Sequence, residues 1–237
     1  MNPSYKQVTK ARYIARVAEL AREIFPNVYR KLGGKNGLLL AETYQNEDLT
    51  EDEIRDGVNY FLIYLGSREV GYFALDLSPV GGMCISRLYL CEDVRGRGIG
   101  RGVLTYAQRL AEGDGRTRVF LKVWARDLQA EAFCKKRGFR PAGVETVEAL
   151  RAQPGWREDP GFPECGVDGE GYTCNVARPG FLHWTGNLGL GLPALTLENG
   201  EEVVFTDSLL IWPRMTGEPE LGVILYEYDF QEDGVTC

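Results

Sequence analysis

Histidine is almost missing from this chain. His183 is the only one in 237 residues, so a Ser-His-Asp or Cys-His catalytic set has no other imidazole to draw on. Cysteine occurs six times, at 84, 91, 134, 165, 174 and 237, but never as Cys-x-x-Cys. That removes the usual spacing of a zinc site, and no metal is expected. A reduced, cytoplasmic protein is the simplest account, with a Cys165–Cys174 pairing as the alternative in an oxidising setting. No apolar run approaches the ~18 residues of a membrane span. The opening Met1-Asn-Pro-Ser-Tyr-Lys6 has no apolar core of the signal-peptide kind. Internal repeats and low-complexity tracts are also absent. Basic residues are in deficit, 27 against 34 acidic, for a net charge of −7. That balance argues against nucleic-acid binding as the main role. A hydrophobic share of 44% and a charged share of 26% are those of an ordinary globular chain.

Against this acidic background, Arg95-Gly96-Arg97-Gly98-Ile99-Gly100 stands out. It follows the apolar stretch Cys84 to Leu90 and opens a helical pattern from Gly102 to Leu110. A strand, a glycine turn and a helix N-terminus together make an anion cradle. Glycines let the backbone approach a ligand without Cβ clashes, and the first N–H groups of the helix point outward where the dipole favours negative charge. Arg95, Arg97 and Arg101 add forked donors suited to phosphate. The run is not a P-loop, because Gly-Lys-Ser/Thr is lacking. Nor is it a dinucleotide fingerprint: its spacing is Gly-x-Gly-x-Gly, it lies mid-chain, and no acidic strand end follows. The plainer alternative is a tight turn that merely starts a helix.

The downstream sequence weighs against that alternative. After Gly113-Asp-Gly115 come the apolar run Val119 to Trp124 and then Asp127-Leu-Gln-Ala130-Glu-Ala-Phe133-Cys134-Lys-Lys136-Arg-Gly138-Phe139. Here the chain resembles the GNAT family of acetyl-CoA-dependent N-acetyltransferases. The family's Arg/Gln-x-x-Gly-x-Gly/Ala loop matches Arg95 to Gly100. Its Leu-Tyr-Val strand is similar to Leu88-Tyr89-Leu90, and its Asn-x-x-Ala-x-x-Phe-Tyr-x-Lys-x-Gly-Phe pattern to Asp127 through Phe139. The likeness covers roughly residues 5 to 145 and then fades. Two departures stand in it: Asp127 replaces the usual Asn, and Cys134 replaces the Tyr that usually protonates the departing CoA thiolate. Cys134 either donates that proton, as a thiol of ordinary pKa about 8.5 can, or is a small buried residue with no chemical part.

The rest of the pattern reads as follows. Tyr5 to Val8 is a short first strand, and Thr9 caps an amphipathic helix through Ile14, Val17, Ala18, Ala21, Ile24 and Phe25 that Pro26 stops. Gly33-Gly34 marks a loop. Thr50-Glu-Asp-Glu53 has capping-box spacing and opens a short second helix to about Gly57. Tyr60 to Leu65 and Val70 to Leu75 form an antiparallel hairpin around the four residues Gly66 to Glu69, and Pro79 to Gly82 is the next turn. Val103, Leu104, Ala107, Leu110 and Ala111 give the helix after the glycine run an apolar stripe. Gly138 caps the helix that carries Ala130, Phe133 and Cys134 on one face. Residues 151 to 172 are rich in Pro and Gly and read as a linker. Beyond them the chain is β-rich, with a hairpin around Glu198-Asn199-Gly200-Glu201 and further strands at 209 to 212 and 223 to 230.

The resemblance implies an α+β chain with the acyl-CoA N-acyltransferase fold: a mixed, mostly antiparallel sheet flanked by helices, plus a β-rich C-terminal extension. The domain expectation is 1–150 for the acetyltransferase, with 170–176 as a candidate last strand, and 177–237 for a small β-rich region. It further implies acetyl-CoA as cosubstrate, bound through Leu88, Leu90, Arg95, Gly96, Arg97, Gly98, Ile99, Gly100, Arg101 and Asp127. Cys134 and Tyr89 are the catalytic candidates, with Glu42 and Glu92 as further candidates for the base. The expected reaction is direct acetyl transfer to a primary amine, a small molecule rather than a protein. Leu88-Tyr89-Leu90 and Gly71-Tyr-Phe are loosely similar to polyamine N-acetyltransferases, though such segments are common in the family. The negative net charge either steers a cationic amine or simply keeps the protein soluble, and the second is the simpler reading. No nucleic-acid or membrane partner is expected, and a homodimer is left open. The competing reading is a CoA-binding sensor or scaffold without turnover, whose C-terminal region binds a partner.

Overall fold

The computed structural model describes residues 2–30, 35–77, 82–124, 127–145, 167–168, 171–175, 185–187, 195–196, 202–205, 209–212 and 223–230. In chain order the elements are β1 (Ser4–Gln7), α1 (Ala11–Val28), α2 (Asn36–Tyr44), α3 (Glu47–Arg55), β2 (Asn59–Leu65), β3 (Arg68–Asp76), β4 (Gly82–Leu90), α4 (Ile99–Gly113), β5 (Arg118–Trp124), α5 (Leu128–Lys136) and β6 (Arg140–Glu145). Seven more strands follow: β7 (Val167–Asp168), β8 (Gly171–Asn175), β9 (Thr185–Asn187), β10 (Leu195–Thr196), β11 (Glu202–Phe205), β12 (Leu209–Trp212) and β13 (Val223–Asp229). Two compact units share the chain. One is Met1–Leu77 with Gly82–Val119, the other Ser78–Gly81 with Phe120–Cys237.

In the first unit β1, β2, β3 and β4 pair antiparallel in that order. Alternation along the strands gives the sheet two faces. Phe61 pairs with Phe73 on one face, where both rings meet Tyr106 of α4, and Tyr5 of β1 meets Phe73 and Tyr106. Tyr60 and Tyr72 lie on the other face with Tyr89. There Tyr89 packs on Phe25 of α1. The buried stripe of α1 runs through Val17, Ala18, Leu20, Ala21, Ile24 and Phe25.

Several local features differ from the sequence-based expectations. Thr9 does not cap α1; Lys10 holds that position and makes no side-chain cap. Pro26 lies inside the last turn of α1, which closes at Val28 with Tyr29 N–H donating to the Phe25 carbonyl. A proline there removes one donor without blocking the final turn. Helix α2 has no counterpart in the expected pattern. Thr50 sits within α3 rather than at its start. Asn46 is the cap, its side chain accepting from Leu49 N–H at 2.9 Å, while the Thr50 hydroxyl donates back to the Asn46 carbonyl at 2.7 Å. The hairpin turns on two residues, not four. Leu65 pairs with Arg68, and Gly66 supplies φ of 64°, a left-handed conformation that suits glycine. Leu110, in phase with the α4 stripe, is exposed. The Gly33-Gly34 loop lies outside the described residues, as does most of the Pro79 to Gly82 turn.

In the second unit β6 pairs antiparallel with β13, and β5 neighbours β13. The strand beside β6 is therefore Val223–Asp229, whereas residues 171–175 pair with β7 and β9. The seven-residue run of β13 presents Tyr228 to Phe139, ring centroids 5.7 Å apart. At seven residues, with Tyr226 and Tyr228, β13 can match the full length of the six-residue β6, which the five-residue β8 cannot. Helix α5 ends in a Schellman motif: Phe139 N–H donates to Cys134 O and Gly138 N–H to Lys135 O, with Gly138 at φ 82°. Strands β10, β11 and β12 form a separate antiparallel sheet. The hairpin turn expected at 198 to 201, His183, Cys165 and residues 151 to 166 of the linker expected at 151 to 172 lie outside the described residues, while β7 and the start of β8 fall within that linker's range.

No helix among the described residues is long and apolar enough to cross a membrane.

Candidate active site

The glycine run occupies the position its sequence implies, between a strand end and a helix start. Strand β4 is buried from Gly82 to Arg87 and then half-buried at Leu88, Tyr89 and Leu90. A 3-10 turn, Glu92–Val94, anchors its buried Val94 before the glycines begin. Gly96 and Gly98 both take left-handed backbone, φ 76° and 85°, and Gly98 is the N-cap of α4. A Cβ built on either meets nothing within 4 Å, so their outer side is open space. The first bond of α4 is Gly102 N–H to Gly98 O at 3.0 Å. The N–H groups of Ile99, Gly100 and Arg101 precede it and have no acceptor within the helix.

Three arginines frame this loop in different ways. Arg95 turns back, its Nε donating to the Leu90 carbonyl at 2.9 Å, while its Nη2 is buried without a hydrogen-bond partner. It therefore ties the loop to the last residue of β4. Arg97 and Arg101 are exposed. Cross-strand packing fixes the strand end from the other side. Gly71 of β3 pairs with Leu90, and a Cβ there would stand 2.1 Å from the Tyr89 carbonyl oxygen. Cys91 N–H donates to Val70 O at 2.9 Å, Val70 being the extra residue of a bulge between β3 and β2.

Tyr89 and Tyr29 place their hydroxyls 2.7 Å apart. Burial, with Tyr89 alongside, raises the pKa of Tyr29 well above the usual phenol value, so it stays a neutral hydroxyl. Glu42 and Glu92 are exposed. Composition and spacing did not single out the neighbouring polar group of Gln45, Glu53, Tyr60, Tyr72 and Arg87 within the sheet's tyrosine-bearing face. The one available signal was an arginine in an otherwise apolar strand.

Asp127 and Cys134 belong to the second unit. Asp127 is the N-cap of α5, its Oδ1 accepting from Gln129 N–H at 3.2 Å and Ala130 N–H at 3.0 Å. Cys134 is buried, and burial followed by the Asp127 charge pushes its thiol up to about 12.

The sequence model of the Acetyltransferase (GNAT) family matches residues 15–139, more than half of the chain and all of the strand, loop and helix just described. The chain belongs to the GNAT acetyltransferase family. It is a GNAT-type N-acetyltransferase, and its fold agrees. The PaiA N-acetyltransferase of Thermoplasma acidophilum, in complex with coenzyme A, superposes with a TM-score of 0.55 at 17% identity over 61% of this chain and 94% of that one. A GCN5-related N-acetyltransferase of Rhodopseudomonas palustris gives 0.51 at 20% identity, covering 62% and 86%. An N-acetyltransferase of Staphylococcus aureus gives 0.50 at 14% identity, covering 97% and 99%. At these identities the likeness is one of fold.

The residues present fit an acyl-CoA. Two left-handed glycines leave room at the mouth of the loop, free helix N–H groups suit a pyrophosphate, and two exposed guanidiniums lie within the same run. For this GNAT enzyme, Cys134 suits packing better than proton donation. Handing a proton from a thiol at about 12 to a thiolate of ordinary basicity is uphill by roughly three orders of magnitude. Cys134→Ala is therefore expected to retain thiol-release turnover within about twofold of the parent. A collapse of kcat in the folded variant would restore Cys134 as the acid.

Proposed function

We propose that the protein moves the acetyl group of acetyl-CoA directly to the primary amine of an acceptor, a small molecule rather than a protein. The observation that supports this most is the pair of left-handed glycines, Gly96 and Gly98, opening onto empty space at the start of α4 beside the half-buried end of β4. Acetyl-CoA supplies an activated thioester; the chain's residues supply position and electrostatics. The N–H groups from Ile99 to Arg101 hold the pyrophosphate, and Arg97 and Arg101 add charge to it. Arg95 keeps the loop against Leu90. The backbone of Leu88 to Leu90 orients the acyl-bearing arm and offers an N–H to the carbonyl oxygen as charge develops there. Tyr89, its hydroxyl against Tyr29, orients the amine; as the C–N bond forms the amine's proton passes to water, the C–S bond breaks, and the departing CoA thiolate takes a proton from solvent. Asp127 contributes by setting the start of α5.

Calorimetric titration with acetyl-CoA, followed by thiol release over a panel of polyamines, amino acids and aminoglycosides, tests the proposal. Binding together with release is the expected result. Binding without release from any amine would favour the sensor reading, which the missing Tyr at position 134 also favours. No binding would remove the cradle assignment.

A further inference from the structure

Arg87 is a buried charge that the acetyl-transfer scheme does not use. Its side chain is 3% exposed, and its guanidinium divides among three elements. Nε donates to Gln45 Oε1 at 3.0 Å, Nη2 to Glu53 Oε1 at 2.6 Å, and Nη1 to the carbonyl of Ser86 at 3.0 Å. Gln45 is the C-cap of α2, and its amide also donates to Thr50 at 2.9 Å and Tyr60 at 3.1 Å. Glu53 of α3 accepts from the Tyr60 hydroxyl as well. The fork is thus fixed by α2, α3 and β2 before it reaches the backbone of β4.

The atom it grips is the informative one. Leu75 pairs with Ile85 and Ala74 with Arg87, so Ser86 is one residue too many on β4. Such a bulge changes which face the following side chains take. Ile85 and Arg87, two apart, lie on opposite faces. Beyond the bulge, Arg87 and Tyr89 share the face of Tyr60, Ala74 and Tyr72. Were this same sequence to run through as a regular strand, with Ser86 paired and no bulge, both would point to the face of Phe61, Phe73 and Tyr106, where a guanidinium would meet an aromatic stack. The Ser86 hydroxyl is buried with no hydrogen-bond partner, so the side-chain grip on this residue is through its carbonyl.

We propose that Arg87 is a positioning residue for acetyl transfer: it clamps the Ser86 bulge to Gln45 and Glu53 and thereby sets the Leu88–Leu90 end of β4 against the acyl arm. This rests on the proposed function in assigning the acyl arm to that strand end. The clamp itself does not.

The test uses Arg87→Met and Arg87→Lys in the full chain. Methionine removes the charge at similar length, and Glu53, 32% exposed, can hydrate once its partner is gone; replacing a buried ion pair by apolar bulk is often tolerated. Lysine keeps the charge but cannot fork to three acceptors. Hydrogen–deuterium exchange is read with and without saturating CoA, and kcat and KM with any amine that releases thiol in the panel. Amides of Leu88 to Leu90 are expected to exchange at least about tenfold faster in both variants, while the first turn of α4 keeps its rates and its CoA protection. With an accepted amine, kcat falls by about tenfold or more and the acetyl-CoA KM stays within about twofold. Unchanged exchange at Leu88 to Leu90 would overturn the clamp. So would acceleration spread evenly over the first unit, which marks general loosening. Should the methionine variant not fold, the lysine variant carries the same comparison. If CoA protects nothing in the parent protein, the proposed function fails, and the exchange at Leu88 to Leu90 still decides the clamp.

Discussion

Gly98→Trp should abolish CoA binding in a protein that still folds. Gly98 caps α4 with φ of 85°, and the space beyond its Cα is empty. An indole there fills the space the pyrophosphate would take and shields the N–H groups of the first turn. Losing two charge-assisted hydrogen bonds costs about 3 kcal/mol or more, so the dissociation constant rises roughly a hundredfold at least. The backbone penalty is smaller, about 1–2 kcal/mol for a side chain at left-handed φ, against a total stability of roughly 5–15 kcal/mol. Gly57→Ala is the matching control. Gly57 has φ of 101° and also nothing within 4 Å of a built Cβ, but lies outside the loop. It should lower the thermal midpoint comparably and leave CoA affinity alone. Calorimetry on both variants decides the point, and parental affinity in the tryptophan variant would remove the loop from the binding site.

Gly71→Ala should be the most destabilising single methyl addition in the first unit. The new Cβ would stand 2.1 Å from the Tyr89 carbonyl oxygen and 3.0 Å from Leu90 Cα, so two backbones, not a flexible side chain, must move. Overpacking of this kind costs about 3 kcal/mol, which in a chain of this length lowers the thermal midpoint by about 10 °C. The atoms pushed belong to the strand end that the proposed function gives to the acyl arm. Turnover of the folded fraction is therefore expected to fall further than CoA affinity does. A midpoint within about 2 °C of the parent would show that β3 and β4 separate there without penalty.

The glycine loop, its strand and its helix were legible because each carries a local signal: an apolar run, three glycines, a stripe at helical spacing. The cap at Gly138 was legible for the same reason. What stayed hidden depends on residues far apart in sequence. Helix α2, with Gly37 and the run Leu38-Leu39-Leu40, shows no amphipathic period, and it forms by packing on α1: a Cβ on Gly37 would lie 2.6 Å from Pro26 Cα. Thr50 and Glu53 mimic a capping box, yet Asn46 competes better for the helix start. Glu53 is instead drawn to Arg87, 34 residues away. The Ser86 bulge leaves no mark in composition, because one extra residue in an apolar strand looks like a strand that is one residue longer.

The Ser86 bulge absorbs one extra letter: the residues after it take the faces they would have in a regular strand one residue shorter. A relative with one residue fewer between Cys84 and Leu88 and no bulge would present the same side chains to α1 and α4 from Leu88 onward, with every later letter shifted by one position. A column-by-column comparison that places no gap at Ser86 would then equate Tyr89 with residues that face the other way. Acceptor preferences inferred from such columns would be inherited from the wrong side of the sheet.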